Sequence, residues 1–204
     1  GRLTNHKVFG EAMAILAGDA LLNSAFEYMM ECILDKNTKK SYSFEAGVAA
    51  INYIAKAAGV NGMIGGQVVD IKSEGISISY EQLEYMHKHK TGALFKAAII
   101  TPAILYQSDE KKISALEKYS ANIGLAFQVK DDILDFEGDF KLMGKDVRKD
   151  RDVGKSTFVS FYGIDDSREI LRKLVWDAME SVQVFGDKAC FLKELAAYIA
   201  KREN

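Results

Sequence analysis

Proline is nearly absent: Pro102 is the only one in 204 residues, where average usage is about 5%. That argues against loop-dense and all-β folds, which spend proline in turns. It favours long helices, which an internal proline disrupts at a cost of about 3 kcal/mol. Cysteine is scarce too, with only Cys32 and Cys190. They match no zinc or redox spacing and no disulfide scaffold, which points to a reducing compartment. Neither sign of charge dominates, since 27 basic and 29 acidic side chains leave a net −2. A generally basic nucleic-acid binder is excluded, although a local basic site is not. A hydrophobic fraction of 48% excludes disorder. No membrane span is expected, because Glu11, Asp19, Asn23 and Glu27 interrupt the first apolar segment. The chain begins at Gly1 with no signal peptide before the first helical pattern, so it is expected to start inside a longer polypeptide.

What is present is helical periodicity. Between Lys7 and Leu34, Val8, Phe9, Ala12, Ile15, Leu16, Ala20, Leu22 and Phe26 fill most of a helix circumference, predicting one largely buried helix. A second helix is expected from Phe44 to Ala58, stopped at Gly59. The next, Asn61–Lys72, carries Gly62, Gly65 and Gly66. Three glycines at about 1 kcal/mol each imply tight helix contact, a kink or a ligand near the backbone. Ile76 and Ile78 alternate with serines and permit one short strand, without a partner nearby. Ser79-Tyr80-Glu81-Gln82 has the form of a capping box and opens a helix through Lys90 to Tyr106, with a kink or break near Thr101. Ser108 or Asp109 caps a further helix to about Phe136. A charged loop spans Gly138–Gly163, and helices over about Asp166–Phe185 and Asp187–Lys201 follow. At ~150 residues per domain, this length and pattern give a single all-α domain over residues 1–204.

Three constellations carry chemistry. In Gly124–Asp135, residues Gln128, Asp131, Asp132 and Asp135 share one helix stripe. Asp131 and Asp135, at i and i+4, repel unless a cation lies between them. One or two carboxylates completed by phosphate oxygens are what Mg²⁺ prefers, while a solvated acidic face is the bland alternative. His87-Lys88-His89-Lys90-Thr91-Gly92 offers Lys90 as a point charge for phosphate and Thr91 as a hydrogen-bond donor; otherwise it is an exposed basic turn. His87 and His89, two apart, lie on different faces and make no joint metal site. Beyond the carboxylates, Lys141, Lys145, Arg148, Lys149, Arg151 and Lys155 alternate with acids, mostly a solvated mixed-charge loop. Gly154-Lys155-Ser156 is no P-loop, because position 149 is lysine and no strand precedes it. The run Asp131–Asp139 also fails EF-hand spacing. Together the constellations describe a site for a polyanion held by Mg²⁺ and lysines.

These residues resemble the trans-polyprenyl diphosphate synthases, and among them the bacterial farnesyl diphosphate synthases, or geranyltranstransferases. The resemblance rests on Ala17-Gly18-Asp19-Ala20-Leu21, Gly65-Gly66-Gln67 with Asp70, Lys90-Thr91-Gly92, the Gly124–Asp135 block and Gly144-Lys145, in the family's order. It implies long helices around a central cavity (the isoprenoid synthase fold), a cytoplasmic homodimer, isoprenoid diphosphate substrates and Mg²⁺. Asp131 and Asp135 then look like metal ligands, with Asp132 as ligand or neighbour. Lys90, Thr91, Gln128 and Lys145 look like catalytic contacts to an allylic diphosphate, and Lys155 like a further diphosphate lysine. Gln67 and Asp70 are expected beside the metal–diphosphate cluster.

The resemblance also implies a gap. The family's first aspartate-rich motif precedes a segment similar to Gly1-Arg2-Leu3-Thr4-Asn5-His6, so the chain resembles the C-terminal two-thirds of such an enzyme. The expectation is condensation of isopentenyl diphosphate with dimethylallyl or geranyl diphosphate to farnesyl diphosphate, with this chain inactive alone. The alternatives are a non-catalytic helical subunit of a heteromeric synthase and a terpene cyclase or head-to-head synthase.

Overall fold

The computed structural model describes residues 2–35, 41–143 and 156–203. The all-α expectation holds: every regular element among the described residues is a helix. In order these are α1 (Asn5–Phe9), α2 (Glu11–Leu34), α3 (Phe44–Ala58), α4 (Met63–Lys72), α5 (Tyr80–Lys90), α6 (Gly92–Leu105), α7 (Glu110–Met143), α8 (Phe158–Tyr162), α9 (Ile164–Ser181) and α10 (Cys190–Lys201). A 3₁₀ segment, Gln183–Ala189, joins the last two.

α7 is the central element, packed against α5, α6, α8, α9 and α10. Its stripe Tyr119, Ile123, Ala126, Val129 and Ile133 is almost fully buried, at helical spacings of three and four. Leu171, Val175 and Ala178 of α9 and Ala196 and Ile199 of α10 complete the core. Full burial of each larger apolar side chain contributes about 1.5–3 kcal/mol. The Tyr119 hydroxyl, buried among them, donates to the Leu192 carbonyl at 2.6 Å and ties α10 to α7.

Local signals set several boundaries. Ser43 Oγ accepts from the Ala46 N–H and opens α3, which ends at Ala58 as expected. The capping box at Ser79 and Gln82 is formed in both directions. Asp109 Oδ1 accepts from the Lys112 N–H and caps α7.

Other expectations need correction. The single helix over Lys7–Leu34 is two, because Gly10 adopts φ +84° and separates α1 from α2. Nor is it buried. Met13, Ile15, Leu16 and Leu21 are exposed, and Ile33 alone in α2 is buried. Periodicity reports what a helix is built to bury, while its substantial contacts here are with α1 and α3 only. The expected helix through Lys90 to Tyr106 breaks at Thr91, whose φ/ψ of −111°/−48° departs from regular helix. Pro102 sits inside α6 without ending it. α7 continues to Met143, past the expected end at Phe136, so part of the charged loop is helix. Ile76 and Ile78 form no strand; the Ile78 N–H donates to Ser156 Oγ at 3.1 Å.

Candidate active site

A cleft of about 750 Å³ opens where α4, α5 and α7 meet the residues before α8. Asp70, Lys90, Thr91, Gln128, Asp131, Asp132 and Asp135 all line it. Seven of the expected site residues, drawn from three helices and the α5–α6 junction, therefore share one cavity. Gln67 does not line it but donates to Asp70 Oδ2 at 3.4 Å. Lys145 and Lys155 lie outside the described residues.

The glycine cluster positions the basic side of the cleft. A Cβ on Gly66 would stand 2.1 Å from the Lys90 backbone nitrogen, so only glycine lets α4 approach α5 this closely. That contact sets Lys90 beside Asp70, with Nζ 2.5 Å from Oδ2. Of the three readings left open by the glycines, tight helix contact is the one found at Gly66.

The acidic side comes from α7. The stripe opposite its core face carries Gln128, Asp131 and Asp135 into the cleft. Gln128 Nε2 donates to Asp131 Oδ2 at 3.2 Å. Asp132 is set apart from its neighbours. It is 9% exposed, and its Oδ2 accepts from the Phe158 N–H at 2.7 Å, fixing the start of α8. Among the described residues, no three His, Cys, Asp or Glu side chains converge to hold a metal unaided. Asp131 and Asp135 instead bring a pair of carboxylates to a cleft that also holds a lysine. That donor set fits Mg²⁺, which takes one or two carboxylates and completes its shell with water and phosphate oxygens.

His87, one helical turn before Lys90, is 6% exposed and lines the cleft. Its ring stacks on Phe158 with centroids 5.7 Å apart. Burial pushes its pKa down to about 4, against an opposing effect of Gln128, so the imidazole is neutral at pH 7. Neither ring nitrogen has a well-formed hydrogen bond among the described residues. His89 instead stacks on Tyr85 and contacts the Tyr85 carbonyl, which keeps the two histidines apart as their spacing predicts.

Arg202 escaped the sequence reading altogether. It forms an ion pair with Asp131 Oδ1 and donates to the Phe127 carbonyl at 3.1 Å. The only local sequence cue was a basic residue in a polar terminus. His87 had a stronger one, since it stood at helical spacing from Lys90 and Thr91.

The fold is that of the isoprenyl diphosphate synthases. An FPP/GFPP synthase from Zymomonas mobilis superposes with a TM-score of 0.83 at 33% identity, over 98% of this chain and 65% of that one. A geranyltransferase from Legionella pneumophila gives 0.81 at 31% identity, over 100% and 65%. The chain belongs to the polyprenyl synthetase family, whose sequence profile matches residues 1–190. It is 43% identical over 207 residues to a farnesyl diphosphate synthase from Micrococcus luteus, covering 100% of this chain and 67% of that protein. A chloroplastic geranylgeranyl pyrophosphate synthase from Catharanthus roseus is 44% identical over 206 residues, covering 100% and 56%. The chain thus spans between about half and two thirds of the relatives it matches. Among the described residues, no helix is long and apolar enough to cross a membrane.

Proposed function

We propose that the protein is a chain-elongating prenyltransferase, joining isopentenyl diphosphate to an allylic diphosphate, with farnesyl diphosphate as product. The observation that carries this reading is the convergence of Lys90, Thr91, Gln128, Asp131 and Asp135 on one cleft from separate elements. A solvated acidic face would not place its carboxylates with a lysine in a cavity.

In this reading Asp131 and Asp135 would hold Mg²⁺, which would supply positive charge to stabilise a leaving diphosphate. Lys90 gives up Asp70 for a diphosphate oxygen, and the Thr91 hydroxyl and Gln128 amide donate further hydrogen bonds. These groups are fixed before the allylic C–O bond breaks, so they stabilise developing charge without reorganising. The isopentenyl double bond attacks the allylic cation, a new C–C bond forms, and a proton leaves for the departed diphosphate. Phe127, Met86 and Ile78 line the cleft with apolar surface that keeps water from the cation. Asp132 supports the site by anchoring α8, and Lys145 and Lys155 remain proposed diphosphate contacts.

The farnesyl product is the finer part of the proposal, since the similar proteins carry both farnesyl and geranylgeranyl names. A cytoplasmic location and a homodimer belong to the same reading; the exposed apolar residues of α2 favour burial of that helix against further protein. The test is incubation of the intact full-length polypeptide, which carries the residues that precede Gly1 in its relatives, with Mg²⁺, isopentenyl diphosphate and dimethylallyl or geranyl diphosphate, followed by chromatography of the products. A C15 diphosphate is expected. A longer product corrects the chain length only, and no condensation product with any allylic diphosphate overturns the reading.

A further inference from the structure

The chain's own C-terminal turn reaches Asp131 and Phe127, two residues that line the cleft. α10 ends at Lys201, and the next residue, Arg202, folds back over α7 with a side chain only 11% exposed. Its guanidinium carbon lies 3.9 Å from the centre of the Phe127 ring. Nη2 donates both to the Phe127 carbonyl and to Asp131 Oδ1. The other oxygen of Asp131, Oδ2, accepts from Gln128. The carboxylate assigned to the metal is therefore engaged at both oxygens by protein groups.

A guanidinium on Asp131 does for that carboxylate what a bound cation does: it supplies the opposite charge in a partly desolvated place. A second cation on the same oxygen would be repelled by the first. The stacking on Phe127 and the bond to its carbonyl give the guanidinium a partial seat of its own, so loss of Asp131 removes the charged half of its anchorage and loosens the last turn without unfolding it. Nor is Arg202 needed to hold α10 in place. Tyr119 already bonds the Leu192 carbonyl, and Ala196 and Ile199 are buried in the core.

We propose that Arg202 is a displaceable counter-ion of Asp131: it occupies the carboxylate until a divalent cation takes it, and cation binding then loosens the C-terminal turn. This rests on the assignment of Asp131 as a metal ligand made above. It couples the state of the metal site to the last turn of α10, where the Arg202 N–H closes on the Tyr198 carbonyl.

Mn²⁺, which shares the oxygen preference of Mg²⁺ and is visible by electron paramagnetic resonance, is titrated alone into the wild type and the Arg202→Met, Arg202→Lys and Asp131→Asn variants. Arg202→Met keeps an apolar stem on Phe127 and removes the competing charge, so its Mn²⁺ dissociation constant should fall about fivefold. Arg202→Lys, which keeps the charge, should stay within about twofold of wild type. Melting temperatures establish that the variants are folded. In the wild type, Mn²⁺ should speed hydrogen exchange over residues 198–203, a readout that does not depend on any variant. Unchanged or weaker Mn²⁺ binding by folded Arg202→Met, or unchanged exchange in the wild type, overturns the counter-ion role. If Asp131→Asn binds Mn²⁺ as well as wild type, the metal assignment fails and the counter-ion role falls with it. If Asp131→Asn binds weakly but Arg202→Met does not bind tightly, only the counter-ion role fails.

Discussion

Lys90 Nζ lies 2.5 Å from Asp70 Oδ2, and the same oxygen accepts a bond from Gln67. The charge proposed to meet a diphosphate is thus balanced by a carboxylate one helix away. Replacing Lys90 by methionine should lower kcat/KM by about 10²–10³, the usual cost of losing a charge-stabilising donor. Asp70→Asn should cost less, because it removes the partner of the lysine rather than the lysine itself. Steady-state kinetics on the two variants check the order. Normal turnover in Lys90→Met would remove that residue from the site.

The same lysine depends on a glycine. An added Cβ at Gly66 would stand only 2.1 Å from the Lys90 backbone nitrogen, so Gly66→Ala must push α4 and α5 apart. Overpacking of this kind costs about 1–3 kcal/mol, although alanine is intrinsically the better helix former. Urea denaturation should show a lower midpoint, and kcat/KM should fall as Lys90 moves. A stabilised, fully active variant would contradict the close approach.

Buried His87 makes a pH prediction. Its folded pKa of about 4 lies below the ordinary value of 6.5, so between these values the unfolded chain binds more protons than the folded one. The stabilising contribution is therefore complete above about pH 6.5 and is lost as the pH falls to about 4. A full shift of this size corresponds to roughly 3 kcal/mol. Other carboxyl groups titrate in the same range, so the measurement is the difference between wild type and His87→Gln. Unfolding free energy should fall less steeply with acid in the variant. Parallel pH profiles would show that His87 takes up its proton alike in both states.

Asp132, which holds the Phe158 N–H, tests whether a carboxylate of this stripe anchors α8 or binds metal. Asp132→Ala leaves the Phe158 N–H without its acceptor, at a cost of about 1–3 kcal/mol for a buried donor. Asp132→Asn retains an acceptor oxygen and should recover most of that loss. Thermal unfolding of both variants, beside Mg²⁺ dependence of activity, resolves the two roles. Full stability with a lost Mg²⁺ response would make Asp132 a ligand rather than an anchor.

Where local chemistry sets an element, the sequence was readable. Ser79 with Gln82, and the Ser108-Asp109 pair, marked the starts of α5 and α7 through side-chain acceptors that need no tertiary partner. The carboxylate stripe was readable too, because the apolar residues around it declared which face of α7 is core. Elements decided by distant contacts were not. The break at Thr91 has no proline to announce it, while Pro102 removes one i→i−4 bond inside α6 without ending the helix. The extension of α7 to Met143 runs through charges that read as loop. Exposure of α2 depends on what covers it, which periodicity does not encode. Arg202 meets Asp131 across 71 positions, and no local pattern connects them.

The central claim is that Asp131, Asp135 and Lys90 bind a metal–diphosphate together. Its most direct test is a crystal structure of the protein with Mg²⁺ and a non-ionisable allylic thiodiphosphate. The account predicts a cation with Asp131 and Asp135 oxygens at about 2.0–2.1 Å, and Lys90 Nζ moved from Asp70 to a phosphate oxygen. A diphosphate bound elsewhere, or bound here with both aspartates unengaged and Lys90 still on Asp70, would contradict it.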